Sequence, residues 1–144
     1  MKKQSLDILY RHRTHLLEKE QIVLQDKIAD ENNQKVRLLQ LQARVQAKHN
    51  AKARATTVEE IRALDEAAAY LHGRITLAKR AVSISTKMKE EALEHTLKTK
   101  QSRDQVGLMI EKAHREHRHQ EDEAEKRHLD ELVTSRYAMA LGGL

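Results

Sequence analysis

Histidine is the side chain best suited to binding a metal or moving a proton near neutral pH. Four of the nine histidines, His114, His117, His119 and His128, fall within one short run. His114 and His117 are three apart, so on a helix they share a face and could hold one ion between them. His119 points to a different face, and a tight site needs three or four converging ligands. This cluster therefore reads as a solvated helix surface, as do His12 and His15, and no metal ligand is assigned. Carboxylate pairs such as Glu90 with Glu94 stand at i, i+4 with no cleft to raise one pKa, and neither a Gly-rich phosphate loop nor a Ser/His/Asp set occurs. No catalytic residue, no cofactor and no enzymatic activity is expected.

The elements that carry these residues follow from composition. The 144 residues include no Pro, Trp, Phe or Cys and only four Gly. Aromatic residues make up 2% and charged residues 34%. Ala, Leu, Glu, Lys, Arg and Gln dominate, as in long helices and coiled coils, and such a list can hardly fill a globular core. Without cysteine there is no disulfide framework and no thiolate metal site. The start, MKKQSLDILYRHR, is charged but lacks an apolar stretch of signal-peptide length. No run approaches the ~18 apolar residues of a membrane span. A cytoplasmic chain without direct membrane insertion is expected.

A heptad register begins at Ile61 and continues through Leu64, Ala68, Leu71, Ile75, Ala78, Val82 and Ser85, then Ala92, Val106, Ile110 and Ala113 at the same two phases. Alternating spacings of three and four keep one stripe facing a partner helix. A sparser repeat of seven, Tyr10, Leu17, Leu24, Glu31, Leu38 and Val45, marks the first segment, with Glu31 as an interruption. Between them, in HNAKARATTVEE, the periodicity lapses. Thr57 and Glu60 form a capping box, and Asn50 tolerates a left-handed turn better than most residues. The expected fold is all-α: an antiparallel two-helix coiled-coil hairpin with a longer second helix, as a single unit over residues 1–144. The expected bounds are about 4–50, a turn at about 50–57, and about 57–139.

With the bend centred near residue 55, Val45 is expected opposite Leu64 and Ala68, and Tyr10 opposite Thr99 and Arg103. Glu20 then falls opposite Lys89, and Glu31 near Lys79 and Arg80, where polar pairs fix register at some cost in stability. The unequal arms leave roughly 30 residues of the second helix, about 45 Å at 1.5 Å per residue, with nothing to pack against. Between Glu111 and His128 only Ala113 and Ala124 are apolar. Pairs at i, i+4, Glu111 with Arg115, Asp122 with Lys126 and Glu123 with Arg127, contribute only a few tenths of a kcal/mol each, about 0.2–0.5. Such a polar helix suggests a partner that encloses it.

Charge is unevenly placed. Residues 1–56 hold 12 basic and 6 acidic side chains (+6), residues 57–108 hold 9 and 8 (+1), and residues 109–144 hold 6 and 8 (−2). Nucleic-acid binding would need a basic stripe with aromatic or groove-reading elements. Here bases alternate with acids and the tyrosines are scattered at positions 10, 70 and 137, so no nucleic acid is expected.

The N-terminal SLDILYRHRTHLLEKE and the C-terminal EAEKRHLDELVTSRYAMA resemble the opening and closing segments of the FliJ family of flagellar type III export proteins, with its YscO-like injectisome counterparts. The closing segment shares a charged helix passing into Asp130 and Glu131 and then Arg136. Length, two-helix layout and scarcity of Pro are similar over the whole chain, whereas the lack of Trp and Phe and the Gly-Gly tail depart from many members. The resemblance implies a non-enzymatic central stalk, similar to the gamma subunit of rotary ATP synthases, with both termini inside a hexameric type III export ATPase. It further implies a hairpin end directed toward the cytoplasmic domain of the export-gate membrane protein, with export chaperones as further partners. On this resemblance the ATPase-binding residues are Arg127, Leu129, Asp130, Glu131, Leu132, Val133 and Arg136. The export-gate residues are Leu64, Ala67, Ala69 and Tyr70, within an LDEA stretch and the helix that follows it. Two other classes fit the same composition: an export chaperone, which needs an open apolar seam, and a generic scaffold whose heptads pair between chains.

Overall fold

The structure, a computed structural model, describes residues 2–142. Two helices packed against each other account for nearly all of them: α1, Lys3–Arg54, and the longer α2, Val58–Gly142. The protein is all-α, as its sequence predicts. Single helices gain most of their stability from packing rather than from propensity, and the packing surface here is the heptad seam. Every α2 seam position from Ile61 to Ala113 is buried or half-buried, as are Tyr10, Leu17, Leu24, Glu31, Leu38 and Val45 of α1.

The bend is shorter and later than the lapse in periodicity suggests. Helix α1 continues through Asn50 to Arg54 because Ala51, Lys52, Ala53 and Arg54 favour helix and no Gly or Pro interrupts them. The Asn50 side chain accepts a hydrogen bond from Gln46 Nε2 at 3.1 Å. Among the described residues no backbone adopts a positive φ, so the left-handed turn expected at Asn50 does not form. Thr57 caps α2, its Oγ1 accepting from the Glu60 N–H at 3.2 Å. The Glu60 carboxylate reaches back to the N–H of Thr56, also at 3.2 Å, one residue before the position a standard capping box uses. Lys52 and Arg54 lie in the last turn of α1, and Glu59 and Glu60 in the first turn of α2. Each set opposes its own helix dipole.

The chain divides into two compact units. The first, Leu16–Thr99, contains the bend. Its core is Leu41, Val45, Leu71, Ile75 and Ala78, with Leu38 against it. The contacts run antiparallel, with Lys52 meeting Asp65 at 2.7 Å, Asp30 accepting from Ser85 at 2.9 Å and Lys89 reaching Glu31 at 3.1 Å. Register departs from expectation. Val45 clusters with Leu71 and Ile75, further along α2 than Leu64 and Ala68, and Lys89 pairs with Glu31 rather than Glu20. Glu31 is thus held by Lys89, not by Lys79 or Arg80. The shift has a geometric cause: helical side chains lean toward their own N-terminus. In an antiparallel pair both lean toward a common level, so contacting residues lie later in each helix than their Cα positions indicate, most of all for long side chains.

Glu31 is only 3% exposed. Its Oε1 accepts from Lys89 and Lys35, each at 3.1 Å. The Thr86 hydroxyl beside it, then the two ammonium groups, hold its carboxyl down from the ordinary 4.5 to about 2, against the opposing effect of burial. Its Oε2 meets no donor at hydrogen-bonding geometry, so Thr86 acts from alongside the carboxylate rather than through a well-formed bond.

The second unit joins the segment ending at His15 to the one beginning at Lys100. Among its described residues Leu6 and Val106 are buried. The Tyr10 ring rests at Gly107, where a Cβ would stand 3.4 Å from Tyr10 Cε2; this is again later on α2 than Thr99 and Arg103. Arg13 donates to the Ser102 carbonyl at 3.0 Å and to its hydroxyl. Ala113 and His114 are the last half-buried positions, and residues 115–142 are all exposed. These 28 residues would span about 42 Å of helix.

Candidate partner-binding surfaces

The first surface lies on the uncovered end of α2. Its helix is held by two ion pairs, Arg115 to Glu111 at 3.7 Å and Arg127 to Glu123 at 3.8 Å, and by two histidine–carboxylate contacts, His117 to Glu121 at 2.9 Å and His119 to Glu123 at 3.1 Å. The two histidine contacts went unrecognised in the sequence, although the i, i+4 spacing is plain. Exposed pairs of this kind contribute about 0–1 kcal/mol each, enough to favour helix locally. Among the described residues no group of three or more His, Asp or Glu side chains converges to hold a metal ion.

Leu129, Leu132 and Val133 are exposed by 53%, 44% and 66%. At i, i+3 and i+4 they share one face, with Arg136 among them one turn later. Arg127, Asp130 and Glu131 are also exposed, and the Asp130 carbonyl accepts from the Thr134 hydroxyl at 2.8 Å. The structure therefore places all seven predicted residues on accessible surface, and three of them on one apolar stripe. Tyr137 and Met139, both exposed, extend that stripe by another turn. Their spacing from Val133 and Leu132, four and seven, was the available signal. Gly143 and Leu144 lie outside the described residues.

The second surface lies just after the bend. Ala69 and Tyr70 are exposed, Tyr70 by 66%, while Leu64 and Ala67 are half-buried. Leu64 belongs to the seam, and Ala67 sits at its margin, so only part of the predicted set is freely accessible. Tyr70 and Ala67, with Arg44, Ala47 and Lys48 of α1, line a shallow groove. The Arg74 guanidinium stands 6.0 Å from the Tyr70 ring centroid, at the outer range of a cation–π contact, and adds positive charge at the rim.

Neither surface has the enclosed, converging polar groups of a catalytic site; one is an exposed stripe and the other a shallow groove. No helix among the described residues is long and apolar enough to cross a membrane. Comparison with curated proteins and with solved structures returns no match. Comparison with protein families matches residues 1–142 to one described as flagellar FliJ protein. That match spans both helices and both surfaces, and the family is a non-catalytic component of flagellar protein export; the chain belongs to the FliJ family.

Proposed function

We propose that the chain is the central stalk of a type III export ATPase, coupling the ATPase hexamer to the export gate during flagellar protein export. In this reading the uncovered end of α2 enters the ring. The stripe of Leu129, Leu132 and Val133, flanked by Arg127, Asp130, Glu131 and Arg136, makes the ATPase contact. Ala69 and Tyr70, with Ala67 at the seam margin and Leu64 supporting them from the seam, form the contact with the cytoplasmic domain of the gate protein, and the stalk works in the cytoplasm beside the inner membrane. Export chaperones are further partners.

The observation that carries this reading, given the family, is the continuous run of exposed helix beyond His114. A helix polar on most sides gains nothing from packing within its own chain, but inside a ring it has neighbours in every direction. Interleaved charge allows contact on all sides without a single locked arrangement. An export chaperone would need an open seam for clients, whereas the seam here is occupied by α1. The test is co-purification of the full chain with the hexameric export ATPase. A stable complex lost on replacing Leu129 and Val133 by Glu supports the stalk. An unaltered complex with that variant rejects the assigned surface, and absence of any complex rejects the stalk.

A further inference from the structure

Within the unit Leu16–Thr99, α2 carries a second heptad line beside the one buried against α1. Tyr70, Arg74, Leu77, Ala81, Ile84 and Met88 follow one another at alternating spacings of four and three. Leu77 and Ile84 are 63% and 61% exposed. Three shallow grooves lie along this line. One is the Tyr70 groove, a second is lined by Arg37, Arg74, Leu77 and Ala81, and a third by Glu20, Val23, Met88 and Glu91. Their α1 members Val23, Arg37 and Arg44 are separated by multiples of seven, so they share one edge of that helix. The grooves thus form one apolar-floored trench, about 30 residues or ~45 Å long. Spacing of this kind is that of a helix awaiting another helix.

The charges select the occupant. The half of the trench nearer the bend carries Arg37, Arg44 and Arg74; the other half carries Glu20 and Glu91 against Lys27. We propose that this trench pairs with the trench of a second copy of this chain, in an antiparallel, two-fold symmetric contact centred on Ala81. In that arrangement Ala81 lies against Ala81 of the second copy, where the small side chain permits close approach. Leu77 meets Ile84 of the second copy, and Arg74 meets Met88 and Glu91. The guanidinium groups of one copy then face Glu20 and Glu91 of the other, twice over, as an isologous interface requires. A parallel pairing would set arginine against arginine. The contact covers Tyr70 and Ala67, so self-association and the gate contact proposed above exclude each other.

Sedimentation velocity of the full chain over a concentration series tests this without any other protein. The expected result is a monomer–dimer equilibrium abolished by Ile84→Glu, an exposed site whose change leaves helicity by circular dichroism intact. Arg74→Glu and Glu91→Arg should each weaken dimerisation about tenfold, near the 1.4 kcal/mol that a few repeated charge contacts supply, and the double variant should restore it. Since the chain has no cysteine, Ala81→Cys should oxidise to a disulfide-linked dimer, and Lys79→Cys, exposed on the opposite side of α2, should not. A chain that stays monomeric throughout overturns the proposal, leaving the trench for a different helix. A dimer insensitive to Ile84→Glu, or without the Ala81→Cys crosslink, also overturns it.

Discussion

At the residue scale, the buried carboxylate of Glu31 makes the sharpest prediction. Its folded pKa of about 2 lies below the ordinary 4.5. Its stabilising effect is therefore fully present above pH 4.5 and is lost as pH falls toward 2. Thermal melting followed by circular dichroism should show a steeper loss between those values in the wild type than in Glu31→Gln; parallel curves would refute the assignment. Gly73 makes a second prediction, since a Cβ there would meet nothing within 4 Å. Gly73→Ala should raise stability by about 1 kcal/mol through helix propensity alone, and a lowered melting temperature would show that the position has a contact the fold does not explain. Glu31 was legible in the sequence as a polar break in a repeat of seven. Its partner was not, because periodicity fixes the phase of a helix but not the axial level at which two helices meet. That level depends on where the bend falls and on how far each side chain leans.

At the scale of elements, both seams were legible almost position by position, because spacings of three and four leave few other faces to bury. The end of α1 was less so: the residues from Asn50 to Arg54 break the hydrophobic pattern without breaking the helix, and pattern alone cannot distinguish a bend from an exposed turn. The observed register predicts that cysteines at Val45 and Leu71 crosslink within one chain at dilute concentration. Predominantly intermolecular products would reject the intramolecular pairing of α1 with α2. The second line on α2 stood in the sequence as Tyr70, Leu77, Ile84 and Glu91 at intervals of seven, yet went unrecognised. Arg74 and Glu91 interrupt its apolar character, and only the grooves beside it on α1 make it a surface. On the uncovered end of α2, reversing Arg127 and Arg136 to Glu should weaken ATPase binding while changing the melting of the folded helices little, because exposed charges contribute about 0–1 kcal/mol. A large drop in melting temperature would assign those residues a structural role instead.

At the scale of the whole molecule, the chain separates stability from contact. Among the described residues the buried ones lie between Leu6 and Val106, and the C-terminal stripe lies beyond them. The stripe can therefore be removed without opening a core. The most direct measurement is a titration of the hexameric export ATPase with the full chain and with a chain ending at His128, reading both association and ATP hydrolysis. The stalk function predicts that the full chain binds and stimulates hydrolysis, and that the shortened chain, still helical and with unchanged melting, does neither at the same concentrations. Normal binding and stimulation by the shortened chain would contradict it.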